Sequence, residues 1–193
     1  DLVYLFVEND KVKLDQVPQV QSSLISFNPK TGEVLSYVGG SVFNNSQFDR
    51  VRQSYPQSGS VFKPFIYASA FSGGYNPSSL INDAPIIFED DNLETFWRPE
   101  NYSGKFYGLT TLREALVQSI NIVSIKLLRE IGIKKSSETI DNFGFGSERL
   151  PQDLSLALGS GNFSPAEIAR GFSVFANDGM ISDIHYVSQI KDK

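Results

Sequence analysis

The chain has 193 residues, 40% of them hydrophobic, a formal net charge of −5, no cysteine and one histidine, His185. That is enough to bury one sizeable core, so it reads as one domain or most of one, and its acidic balance leaves no footprint for nucleic acid. Disulfides, thiolate chemistry and cysteine zinc sites are excluded, and a lone histidine in a weakly patterned tail makes a histidine-based triad or a multi-histidine metal site implausible. Without an apolar run of about 18 residues or a signal-like start these residues are expected neither to span a membrane nor to export themselves.

Residues 1–20 read as an irregular lead-in with a short strand over residues 2–7, and residues 21–193 as the body of the domain. Leu24–Phe27 and residues 33–38 are β-rich runs joined by Asn28-Pro29-Lys30-Thr31-Gly32, a turn composition that predicts a hairpin. A helix is predicted from Ser60 to the Gly73-Gly74 stop, with Pro64 tolerated in its first turn. Residues 76–108 are rich in Pro, Asn, Asp, Gly and aromatics without sustained periodicity, so they are expected to form an irregular excursion bordering a binding site.

Thr111-x-x-Glu114 is a capping-box signature that opens the next helix. Helix resumes after Asn121 and runs to Gly132, leaving a polar break at Ser119-Ile120-Asn121. A short helix over residues 136–142 is stopped by Gly144. Ser164-Pro165-x-Glu167 combines an N-cap, proline at the first helical position and a capping-box glutamate, and Gly179 closes that helix. Its Ile168, Phe172 and Phe175 fall at helical spacing and read as core. His185 lies in a weakly patterned tail and reads as solvated. The sum is α+β with a helix-dominated centre.

Chemistry is concentrated at Ser58-Gly59-Ser60-Val61-Phe62-Lys63. Helix positions i and i+3 share a face, so the Lys63 amine can reach the Ser60 hydroxyl. A serine is a weak nucleophile until a base takes its proton, and lysine can do so only if burial lowers its pKa. A helix start also presents N–H groups that stabilise an oxyanion. With 25 serines and 10 lysines in the chain, about one Ser-x-x-Lys is expected by chance. Ser188-Gln189-Ile190-Lys191 is such a match, in a polar tail with no glycine before it and no apolar helix after it. Ser26-Phe27-Asn28 and Ser160-Gly161-Asn162 spell Ser-x-Asn in turn contexts. Only Ser119 and Asn121 interrupt a strongly apolar helical segment, where polar side chains either satisfy one another or face a cleft.

At these residues the chain resembles the transpeptidase domain of penicillin-binding proteins, whose superfamily carries Ser-x-x-Lys, a Ser-x-Asn-type motif and Lys-Thr-Gly. The likeness runs nearly end to end. It takes in the Leu14-Asp15-Gln16-Val17-Pro18 lead-in of the class A, bifunctional members and the Asn28–Gly40 hairpin region. It continues through Trp97-Arg98-Pro99-Glu100-Asn101-Tyr102 and Thr111-Leu112-Arg113-Glu114-Ala115-Leu116. Ala157-Leu158-Gly159-Ser160, Ser164-Pro165-Ala166-Glu167 and Asn177-Asp178-Gly179 complete it. One departure stands out: Lys30-Thr31-Gly32 spells the third motif, but it precedes Ser60 and sits in a turn, so it is given no catalytic role. The family's functional Lys-Thr-Gly strand would lie beyond Lys193, so the chain is expected to be a fragment lacking the C-terminal strands of the sheet.

The resemblance implies a helical cluster against an antiparallel sheet. It implies a peptidoglycan DD-transpeptidase acting on stem peptides that end in D-Ala-D-Ala. Ser60 would be the nucleophile and Lys63 the general base. Ser119 would relay a proton, and Asn121 would orient the substrate amide and the Lys63 amine. No cofactor is implied. The implied partners are peptidoglycan stem peptides, β-lactam antibiotics that acylate the same serine, and an upstream glycosyltransferase domain with a membrane anchor at the extracytoplasmic face. Two alternatives use the same residues: a DD-carboxypeptidase or serine β-lactamase that passes the acyl group to water, and a β-lactam sensor or inactive penicillin-binding fragment that binds without turnover.

Overall fold

The computed structural model describes residues 4–16, 20–44, 46–87 and 97–192. The chain begins in a hairpin of β1 (Tyr4–Glu8) and β2 (Lys11–Asp15), paired from Tyr4↔Asp15 to Glu8↔Lys11. Asn9 and Asp10 turn it with φ of 48° and 60°, the left-handed pair that matches the twist of a two-residue hairpin. The lead-in is therefore more regular than its composition suggests. The strand expected over residues 2–7 is found from Tyr4 on, with Leu2 and Val3 outside the described residues. The signal for its partner is the alternating Lys11-Val12-Lys13-Leu14 after an Asn-Asp turn.

β3 (Leu24–Phe27) and β4 (Val34–Val38) form the second antiparallel hairpin. Its turn is built as its sequence predicts: Asn28 Oδ1 accepts from Lys30 N at 2.9 Å, and Gly32 N donates to Asn28 O at 2.8 Å. Gly32 has φ 78°, and a Cβ there would fall 1.9 Å from Asp183 O, so only glycine fits. Glu33 bridges to His185, whose carbonyl accepts from Val34 N at 3.1 Å. The tail is thus tied to this hairpin by its backbone, while the His185 side chain is exposed.

The centre is helical: α1 (Lys63–Ser72), α2 (Leu112–Val117), α3 (Asn121–Ile131), α4 (Ile133–Asp141) and α5 (Pro165–Ala176). α1 packs against α3 and α4, and a 3₁₀ segment, Leu154–Leu158, closes over α3. Ile66, Val123, Leu127, Leu128 and Leu156 are wholly buried between them. A phenylalanine cluster anchors the start of α1. The Phe62 ring lies 5.1 Å from Phe145 and 5.4 Å from Phe163, and the Phe65 ring lies 4.7 Å from Phe145 and 5.0 Å from Phe172. Such pairs each add about 0.5–1.5 kcal/mol beyond their buried area. Two rings flanking Lys63 in sequence therefore fix where its side chain leaves the helix.

Four expectations need correction. The helix expected from Ser60 begins at Lys63, and Ser60 lies in a 3₁₀ turn, Gly59–Phe62, that feeds into it; such tight turns are common at α-helix starts. The excursion over residues 76–108 contains a strand, β5 (Leu80–Asp83), which pairs antiparallel with β6 (Gly108–Thr111). α4 begins at Ile133, three residues before the expected start. Phe175 is 49% exposed because it stacks on the rim of the cluster, 5.6 Å from Phe65. The α2 and α5 starts are as predicted: Thr111 Oγ1 accepts from Glu114 N, and Ser164 and Glu167 form a complete capping box. The described residues form an α+β fold whose sheets are three separate two-stranded pairs.

Candidate active site

Ser60 sits on an exposed turn that is clamped from behind. Ser58 N donates to Gly161 O at 3.0 Å and Gly59 N to Gly159 O at 2.9 Å. The Ser58 hydroxyl is shared between the Gly159 and Gly161 carbonyls, each 3.1 Å away. Gly159 has φ 73°, and a Cβ on it would lie 1.9 Å from Gly59 O, so the glycine is required twice over, by conformation and by space. Gly159→Ala is therefore expected to lower stability by about 2 kcal/mol or more, as strained backbone clashes do. A denaturant melt that matches wild type would refute this clamp.

Lys63 is 1% exposed and turns its amine away from bulk water. Nζ donates to Ser119 O at 2.6 Å, to Asn121 Oδ1 at 2.7 Å and to Ser119 Oγ at 3.1 Å, which uses all three protons of an ammonium. Burial disfavours the charged form and pulls the pKa from 10.5 down to about 8. The expected Ser60–Lys63 hydrogen bond is not formed. The two share a helical face, but the lysine's donors are spent on the α2–α3 junction, and among the described residues the exposed Ser60 hydroxyl has no partner.

That junction has an unusual backbone. Ser119 N donates to Leu116 O at 3.1 Å and Ile120 N to Ala115 O at 2.8 Å, the bond pair of a Schellman helix ending. The left-handed position of this motif normally takes glycine, yet here it is Ser119, with φ 53°. A Cβ in that conformation costs roughly 1–2 kcal/mol. The gain is geometric, since the left-handed turn aims both the carbonyl and the hydroxyl of Ser119 at Lys63. Ser119→Gly and Ser119→Ala both remove the hydroxyl, but glycine should be the more stable of the two by about 1 kcal/mol. Equal melts would mean that the junction stores no strain.

Asn121 opens α3. Its Nδ2 donates to Glu100 O at 2.9 Å, and its backbone N–H to Asn101 Oδ1 at 3.0 Å. Beside the junction, an open groove of about 620 Å³ is lined by Tyr107, Leu109, Thr110, Thr111, Glu114, Gln118 and Ile120. It opens to solvent. Of the four residues singled out from sequence, Lys63, Ser119 and Asn121 are brought into direct contact, with Ser60 one turn away. Ser58, Asp83, Asn101 and Gly159 carry no local signal of their roles, because their partners lie far away in sequence. Among the described residues no cluster of three or more His, Cys, Asp or Glu side chains is placed to hold a metal ion.

Residues 23–193 match the penicillin-binding protein transpeptidase domain, and the chain belongs to that family. Over 186 residues it is 44% identical to penicillin-binding protein 1A of Pseudomonas aeruginosa, which covers 96% of this chain and 23% of that protein. The chain thus spans less than a quarter of that relative's length. The crystal structure of penicillin-binding protein 1A from Haemophilus influenzae is 36% identical with a TM-score of 0.84, over 90% of this chain and 26% of that one. PonA1 of Mycobacterium tuberculosis, solved in complex with penicillin V, shares the fold at 20% identity and a TM-score of 0.74, over 87% of this chain and 48% of that one.

Proposed function

We propose that the chain carries the acyl-transfer site of a peptidoglycan DD-transpeptidase. The observation that carries this reading is the buried Lys63 amine, with its lowered pKa, held against Ser119 and Asn121 one turn from an exposed serine. Ser60 Oγ attacks the penultimate carbonyl of a stem peptide ending in D-Ala-D-Ala, and its proton passes to neutral Lys63. Ser119 Oγ, 3.1 Å from Nζ, hands its proton to the departing D-Ala nitrogen as the C–N bond breaks and takes the replacement from the Lys63 ammonium, leaving an ester on Ser60 and a neutral lysine. An amine of a neighbouring peptide then attacks that ester and gives up its proton through the same lysine. The new amide forms and Ser60 regains its hydrogen. Asn121 holds the Lys63 amine through Oδ1.

A β-lactam presents a strained amide to the same serine, and its ring opens without releasing a leaving group from the site. The protein would act at the extracytoplasmic face of the bacterial membrane, where stem peptides lie. No helix among the described residues is long and apolar enough to cross a membrane.

The test is intact-mass measurement after incubation with benzylpenicillin, followed by peptide mapping. A lasting adduct on the peptide containing Ser60 is expected. Rapid release would favour a hydrolase that passes the acyl group to water, and no adduct would remove the acyl-transfer reading.

A further inference from the structure

Lys63 depends on Asn121, and Asn121 depends on a side chain from another segment. α3 opens without a cap of its own, since Ile120 before it offers no side-chain acceptor, and a helix start leaves N–H groups without intrahelical partners. Asn101 supplies the acceptor from a distant loop: its Oδ1 takes Asn121 N at 3.0 Å and Ile122 N at 3.1 Å. The other end of the amide is fixed as firmly. Asn101 Nδ2 donates to Asp83 Oδ1 at 2.9 Å, to Asp83 Oδ2 at 3.0 Å and to Lys105 O at 2.9 Å, so every donor and acceptor of that side chain is used.

Asp83 is 1% exposed and occupies an inward position of β5, where Ile81 is the other buried residue. An apolar side chain there would serve packing alone, and a buried carboxylate is costly unless it is bonded. Its bonds go to Asn101 and, through Oδ2, to Tyr107 N at 2.9 Å. Lys126 of α3 binds the Asn82 and Ala84 carbonyls on either side, at 2.8 and 3.0 Å. The β5 strand and the first turns of α3 are therefore locked together behind the junction.

We propose that Asp83 and Asn101 are positioning residues of the Ser60 site: Asp83 sets the Asn101 amide, which seats the start of α3 so that Asn121 Oδ1 meets Lys63 Nζ. The proposal rests on the acyl-transfer reading for its effect on rate, and on hydrogen-bond geometry alone for its effect on α3.

Two measurements on the full chain test it. In Asn101→Ala, amide exchange at Asn121 and Ile122 should quicken about tenfold or more, with protection at Leu127 and Leu128 retained. With saturating fluorescent penicillin, the acylation rate constant should fall about tenfold or more, as small misplacements do, while the preceding non-covalent dissociation constant stays unchanged. A merely structural cap would lower the melt and leave that rate constant alone.

The reciprocal exchange is the rescue. Asn101→Asp alone places two carboxylates face to face and should be impaired. Combined with Asp83→Asn, it restores a donor opposite an acceptor across the 83–101 pair, while the Lys105 carbonyl lacks its donor in both variants, and should recover part of the rate. Unchanged exchange at Asn121, a wild-type acylation constant in Asn101→Ala, or a double variant no better than Asn101→Asp would each overturn the proposal. If wild type forms no adduct on Ser60, the acyl-transfer reading falls, and the exchange measurement alone decides whether Asn101 seats α3. Should Asn101→Ala lose its fold, the comparison of Asn101→Asp with the double variant decides the matter.

Discussion

Ser60→Ala is expected to abolish covalent labelling by a fluorescent penicillin, with a melt close to that of wild type. The two halves of this expectation have separate physical grounds. Alanine has no atom that can attack a carbonyl, so no acyl-enzyme can form. The Ser60 side chain is exposed and makes no hydrogen bond among the described residues, so its loss should fall within about ±0.5 kcal/mol, as for ordinary surface substitutions. Ser188→Ala should label like wild type: Ser188 precedes Lys191 at the same spacing, but it lies in an exposed tail outside any helix. Ser58→Ala is the sharper control. It loses the hydroxyl shared between Gly159 and Gly161, which should cost about 1 kcal/mol, yet it keeps the proposed nucleophile and should still be labelled. An adduct that persists in Ser60→Ala would end the assignment.

The parts of this molecule legible from sequence are those governed by local rules. Thr111 with Glu114, and Ser164-Pro165 with Glu167, announce helix starts because cap and first turn are neighbours in the chain. Asn28 to Gly32 announces a turn for the same reason, and Ser119 with Asn121 stands out against an apolar helix. What cannot be read there depends on distant partners. β5 looks like irregular chain because Asp83 puts a charge where alternation calls for an apolar side chain, and its pairing strand begins only at Gly108. The left-handed turn at Ser119 carries no glycine to signal it. The i, i+3 rule correctly places Lys63 on the Ser60 face, but it cannot show that three acceptors from the α2–α3 junction take the amine. The local pattern carries the proposed chemistry, and the long-range contacts set its resting geometry.

That geometry makes Lys63 the residue whose protonation should govern the rate. If neutral Lys63 takes the Ser60 proton, acylation should rise with pH and level off above about 8. At pH 6 it should run roughly a hundredfold below the plateau, tenfold for each pH unit under the pKa. Lys63→Met keeps much of the volume and removes the base, so it should lose about 10²–10⁴ in rate, the usual worth of a positioned proton acceptor. Lys63→Arg should be no better, because a guanidinium does not give up its proton. Stability supplies a second reading that does not depend on activity. The folded-state pKa lies below the unfolded one, so below about pH 8 both states hold the proton and the cost of burying the charge is felt in full. Between about 8 and 10.5 the folded protein has released a proton that the unfolded chain keeps, and stability rises with pH. The difference in unfolding free energy between wild type and Lys63→Met should therefore shift in favour of wild type across that window, whatever other groups titrate in both. An acylation rate that is flat from pH 6 to 9, together with a pH-independent stability difference, would mean that Lys63 stays charged and that another group receives the serine proton.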